Sequence, residues 1–176
     1  MDEINELING AASGDRRSQE KLYRKFYPAL ILLCKRFFAS DHEALETLND
    51  GMLKVFKNLS AYDNTKGEFF NWIYTVVRNT ALDKLKLVPI PETKELNGSA
   101  EQSFEENPLK SLEWKDIYKL LDALAPATRV VCCLYYLEGF SIADIGEQLA
   151  LSKGTVKWHL SETRKKLKPV FEKYYS

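Results

Sequence analysis

The sequence predicts an all-α protein: two small helical domains joined by a flexible linker, the C-terminal one a helix-turn-helix. Three observations predict it. Apolar residues recur at helical spacing along most of the chain, and no segment alternates at the strand period. Between residues 88 and 111 that pattern vanishes. Near the C-terminus, two short helical patterns flank a tight joint, and the second carries a basic face.

At 176 residues and 45% apolar content the chain suffices for one domain or two small ones, each with a packed core. Basic and acidic residues balance at 25 each, so any positive surface must be local. No basic start followed by an apolar run is present, and no apolar stretch has bilayer length, so the expectation is a chain without signal peptide or membrane anchor, in the cytoplasm. Cys34, Cys132 and Cys133 form no CxxC pair and only His42 and His159 accompany them. Buried, helical cysteines are expected, with no metal, cofactor or redox role.

Taken in order, Ile4, Leu7 and Ile8 suggest a short leading helix, and Asp15 after Gly14 is placed to cap the next one. From Arg16 to Phe38 the line Leu22, Phe26, Leu30, Cys34 and Phe37 predicts a helix that Pro28 should kink or restart. Asp41 is expected to cap a helix reaching about Leu59, with Leu45, Leu48, Met52, Val55, Phe56 and Leu59 inward and Asn49, Asp50 and Lys54 outward. SAYDNTKG reads as a turn-rich loop. In the helix EFFNWIYTVVRNTALDKLK, Phe70, Ile73, Val77 and Ala81 make the packing line, with Asn71, Tyr74, Thr75, Arg78 and Lys86 opposite. Such a face can stack on bases, donate to base edges and hold phosphates, as single-strand binders do. Phe69 and Trp72 can equally seal the domain.

Residues 88–111 hold Pro89, Pro91 and Pro108 with Gly98, Ser99 and Ser103, the composition of a linker, and acidic residues outnumber basic ones. Beyond it, Trp114, Ile117, Leu121 and Leu124 predict one helix, and Pro126 starts a second that ends before Gly139. Ser141 is placed to cap IADIGEQLA, with Ile142, Ile145 and Leu149 inward, Gly146 permitting close approach and Leu151 plugging the joint. Ser152 caps the last helix, predicted to run to about Lys168. Val156, Leu160 and Leu167 form its apolar stripe, while Lys153, Lys157, Ser161, Arg164, Lys165 and Lys168 collect on the other face. Residues 152–168 carry six Lys or Arg against one Glu. That concentration points to a modest number of phosphate contacts.

DHEALETLNDGMLKVFKNL, FFNWIYTVVRNTALDKLK and LLDALAPATRVVCCLYYLEGFSIADIGEQLALSKGTVKWHLSETRKKLK, in that order across a linker, resemble a bacterial RNA polymerase sigma factor of the extracytoplasmic-function (ECF) type, in the sigma-70 family. The resemblance implies domains at 1–87 (region two), 88–111 (linker) and 112–176 (region four). It implies that Leu48, Asn49, Asp50, Met52, Leu53 and Phe56 dock on the polymerase clamp coiled coil, with the flap as a further polymerase contact. Tyr62, Asp63 and Asn64 with Asn71, Tyr74, Arg78 and Asn79 would capture and help melt the minus-ten element. Ser152, Lys153, Thr155, Lys157, Trp158, Ser161, Arg164 and Lys165 would read the minus-thirty-five element in the major groove. Core polymerase, promoter DNA and an anti-sigma factor are the implied partners, with no cofactor and no catalysis. Trp158 and His159 stand after GTVK where many members carry a small polar residue and an Arg, and Trp158 either faces DNA or packs on the preceding helix. A stand-alone helix-turn-helix regulator is the alternative, and it leaves the first domain without a role.

Overall fold

The computed structural model describes residues 3–86, 109 and 114–174, with side chains at 114, 115 and 170–174 left aside. Among these residues every regular element is helical. The chain divides into two compact units near Lys84, and each is described by itself.

The first unit contains α1 (Glu3–Ala12), α2 (Arg16–Phe37), α3 (Asp41–Lys57) and α4 (Phe69–Lys86), with a single 3-10 turn at Leu59–Ala61. Asp15 caps α2 as its position suggests: its carboxylate accepts from the Arg17 and Ser18 amides, and those bonds, led by the one from the Ser18 hydroxyl, hold its pKa below the usual range. Pro28 does not divide α2, which runs on through it. Pro28 lies on the exposed side of α2, as does Arg24, whose carbonyl loses its usual N–H partner there. The cap of α3 is Ser40 rather than Asp41; Ser40 Oγ accepts from the Glu43 amide, while Asp41 sits inside the first turn and pairs with Lys35 at 2.9 Å. Leu22, Leu30, Leu33, Leu48, Val55, Ile73 and Val77 fill the centre. Among them α3 turns small residues inward: Ala44, Thr47 and Gly51 are buried. A Cβ on Gly51 would stand 2.9 Å from Val77 Cγ2, so glycine is what lets α3 approach α4 there.

The second unit contains α5 (Trp114–Asp122), α6 (Pro126–Cys132), α7 (Ile142–Leu149) and α8 (Lys153–Tyr174). A π-helical turn, Cys133–Leu137, continues α6 and closes with the Glu138 amide on the Cys133 carbonyl at 3.0 Å. Pro126 occupies the first turn of α6, where a missing N–H costs nothing. Leu121, Val131, Leu134, Ile145, Val156 and Leu160 make the core, and Leu109, from the stretch read as linker, is buried too. All three cysteines are free thiols inside their units, and burial pushes Cys34 and Cys132 up to about 12. No helix among the described residues is long and apolar enough to cross a membrane.

Candidate nucleic-acid and polymerase interfaces

α7 and α8 form a helix-turn-helix whose geometry is fixed by local bonds. Ser141 and Asp144 make a reciprocal capping box at the start of α7. Its end is set by Ala150 in the left-handed region (φ 54°), a conformation that costs an L-residue about 1–2 kcal/mol. The Leu151 amide then returns to the Gly146 carbonyl at 2.9 Å. Gly146 serves this turn rather than a neighbouring helix, since a Cβ there would stand 2.9 Å from the Leu151 carbonyl oxygen. Ser152 caps α8: its Oγ accepts from the Thr155 amide at 3.1 Å and pairs with Thr155 Oγ1 at 3.0 Å.

α8 runs six residues beyond the predicted end and divides into two faces. Inward lie Thr155, Val156, His159, Leu160, Thr163 and Leu167, a stripe wider than the three apolar residues predicted. Lys153, Lys157, Lys165 and Lys168 are exposed, and Trp158, Ser161 and Arg164 are half-buried at the edge of the same outward face. Arg164 Nε donates to Tyr136 Oη at 3.3 Å, and Lys165 Nζ lies 2.7 Å from Glu162 Oε1. Thr155, predicted on the DNA-reading face, is 2% exposed with its hydroxyl on Ser152, where it closes the cap of α8. His159 is also buried, at 3% exposure. Its Nδ1 lies 2.9 Å from Thr128 Oγ1 on α6, and loss of hydration lowers its pKa.

In the first unit the loop after α3 is built around Asp63 and Tyr62. The Asp63 carboxylate accepts from Thr65 Oγ1 at 2.7 Å and the Thr65 amide at 3.0 Å, which depresses its pKa and folds the loop. Tyr62 donates to the Gly67 carbonyl at 3.1 Å, and its ring meets Phe69 and Trp72 with centroids 5.0 and 5.6 Å away. Asn64 is left exposed at the tip. The loop is therefore clipped to the first turn of α4 by edge-on and tilted aromatic contacts, and Phe69, not Phe70, is the buried member; Phe70 is half-buried and stacks on Phe26. Along α4, Asn71 and Asn79 are exposed and Tyr74 and Arg78 half-buried. Tyr74 Oη accepts from Arg36 Nη1 of α2 at 3.1 Å, bringing a cation to this face that the sequence pattern did not single out.

The predicted docking face of α3 separates into core and surface. Leu48 and Met52 are buried at 0% and 3% exposure, so they support this face from beneath. Asn49, Asp50 and Leu53 are outside, and Phe56 is half-buried. Leu45, expected inward, is 40% exposed and lies one and two turns before Asn49 and Leu53 on the same stripe. Tyr23 of α2 donates to Asn49 Oδ1 at 2.8 Å and packs against the exposed Tyr27, ring centroids 5.7 Å apart. Leu45, Leu53 and Tyr27 are three of the few large apolar side chains left exposed among the described residues.

Comparison with known proteins matches both units. Residues 22–87 fit the model of Sigma-70 region 2, and residues 114–167 that of Sigma-70, region 4. Similar proteins include the ECF RNA polymerase sigma factor SigE of Mycolicibacterium smegmatis, 25% identical over 94% of this chain and 67% of that protein. The ECF sigma factor SigW of Bacillus subtilis is 23% identical over 94% of this chain and 95% of its own length. Among solved structures, the sigma factor RpoE of Bartonella quintana, in complex with the anti-sigma factor NepR, aligns over 87% of this chain and 96% of its own at a TM-score of 0.46 and 19% identity. With two regions of one family matched in chain order over more than half its length, this chain belongs to the sigma-70 family of sigma factors, in the ECF group. It is thus a promoter-directing factor, and its partners are core RNA polymerase and promoter DNA.

Proposed function

We propose that three separate faces divide this work. The stripe Leu45, Asn49, Asp50, Leu53 and Phe56, with Tyr23 and Tyr27 beside it, docks on the polymerase clamp coiled coil, supported from within by Leu48 and Met52. The loop Tyr62, Asp63 and Asn64, with Asn71, Tyr74, Arg78 and Asn79 of α4, captures the minus-ten element. Base capture there costs a few kcal/mol of unstacking, offset by stacking and pocket contacts. The outward face of α8, with Lys153, Lys157, Trp158, Ser161, Arg164 and Lys165 and with Ser152 at its cap, reads the minus-thirty-five element, where each good base contact is worth about 1–3 kcal/mol. Residues 1–87 form the first functional domain, 88–111 the linker and 112–176 the second. The protein acts in the cytoplasm, is not an enzyme, and meets the flap as a second polymerase contact.

The observation that carries this reading is the exposed apolar stripe of α3. Leu53, 52% exposed, and Leu45, 40% exposed, lie on one stripe beside the hydrogen-bonded Tyr23–Asn49 pair, an apolar surface suited to being covered. An anti-sigma factor covering the same stripe fits the need to keep it shielded away from polymerase. Two variants test the division. Asn49→Ala with Leu53→Ala should lose core-polymerase binding and leave folding intact. Lys153→Ala with Lys157→Ala should assemble with core and lose the upstream element alone. Loss of core-polymerase binding in the lysine variant contradicts separate faces, as does wild-type core binding by the Asn49 and Leu53 variant.

A further inference from the structure

The outward face of the first turns of α8 is chemically sparse. Lys153 and Lys157 are exposed, Gly154 and Ser161 are small, and Trp158 is the one large side chain among them. Helical side chains lean toward the N-terminus, so Trp158 leans over Gly154, four residues earlier, which has no side chain to oppose it. Behind the indole stands the His159 ring, edge to face, with centroids 4.9 Å apart and planes at 76°. That ring is buried and tied through Nδ1 to Thr128 of α6. Trp158 is therefore half-buried against a fixed neighbour and half open on the face that carries the lysines.

Hydrogen-bond chemistry says what such a group selects. Indole has one N–H donor and no acceptor, and is otherwise apolar. In the major groove thymine presents an acceptor, O4, beside a C5-methyl. Guanine presents acceptors without a methyl, adenine an acceptor beside a donor, and cytosine a donor. Thymine alone complements both parts of an indole. We propose that Trp158 is a specificity-determining residue whose indole packs on a thymine methyl in the upstream promoter element, with Lys153 and Lys157 on the flanking phosphates. This inference rests on the reading of α8 as the helix that enters DNA, and adds the base it selects.

The test uses holoenzyme reconstituted from bacterial core polymerase and the full chain, on a promoter it initiates from. Each thymine of the upstream element is replaced in turn by deoxyuridine, which lacks only the methyl. At one position wild-type holoenzyme should lose roughly three- to tenfold in promoter affinity, the worth of one buried methyl. Trp158→Ala should be indifferent to that replacement and keep the wild-type response at every other position. Trp158→Gln, which keeps a donor but no ring, should behave like Trp158→Ala and replaces it if the alanine variant does not fold. Uniform indifference of the wild type to deoxyuridine overturns the proposal, as does an unchanged response in both variants. Initiation that is unchanged when the whole upstream element is replaced is a different result: it removes the DNA-reading role of α8 and this inference with it.

Discussion

Leu48 and Leu53 are five residues apart on α3 and chemically identical, yet truncating them should have opposite consequences. Leu48 has no exposed surface, so Leu48→Ala opens a cavity and should cost about 2–5 kcal/mol of stability. Leu53 is 52% exposed, so half of its burial is still to be gained when the helix docks. Fully burying a leucine is worth about 1.5–3 kcal/mol. The half still to be buried on polymerase is then worth roughly 0.8–1.5 kcal/mol, which is about four- to twelvefold in affinity. Ala is as good a helix former as Leu, so Leu53→Ala should leave unfolding within about 0.5 kcal/mol of wild type. Urea denaturation followed by circular dichroism measures the first quantity, and titration of core polymerase with fluorescently labelled protein the second. If Leu53→Ala unfolded about 2 kcal/mol more easily while binding core polymerase as wild type does, the division of α3 into a core and a docking stripe would be refuted.

Other outcomes follow from the same geometry. Gly51→Ala places a Cβ 3.1 Å from Val77 Cα, a backbone atom that cannot rotate away, so despite better helix propensity it should destabilise the first unit by about 1–2 kcal/mol in urea denaturation. His159 has its pKa lowered from 6.5 by burial, so the unfolded chain binds the proton more readily. Stability of the second unit is then full above pH 6.5 and falls as pH drops below it. Thermal melts between pH 8 and 5.5 should show that slope, and His159→Gln should flatten it. Lys153→Ala should reduce the slope of log affinity against log salt for upstream-element DNA by about one, with little change in base preference.

How far the sequence reveals these features depends on what each residue's signal is made of. Helix starts were legible because capping is local: Ser141 and Ser152 in the helix-turn-helix and Asp15 before α2 cap where their position relative to the following helix suggests. α3 was harder. It has more apolar residues than one face can bury, and periodicity assigned the large ones inward, whereas the close approach at Gly51 selects Ala44, Thr47 and Gly51 for the interior and turns Leu45 out. Polar residues in the packed face of α8 carried no such signal. Thr155, Thr163 and His159 lie in the packed face of α8, where Thr155 bonds Ser152, Thr163 the His159 carbonyl and His159 Nδ1 Thr128, while His159 Nε2 is buried without a partner. Arg36 entered the α4 face through a contact 38 positions away in sequence, which no local pattern encodes.

The central claim is that one chain brings polymerase and promoter together through its two units. In vitro transcription from a genomic fragment pool, with bacterial core polymerase in the presence and absence of this protein, tests it most directly. Transcripts from discrete start sites are expected when both are present, with weak, salt-sensitive DNA binding by the free protein. Tight sequence-specific binding by the protein alone, with no new start sites from core polymerase, would contradict it.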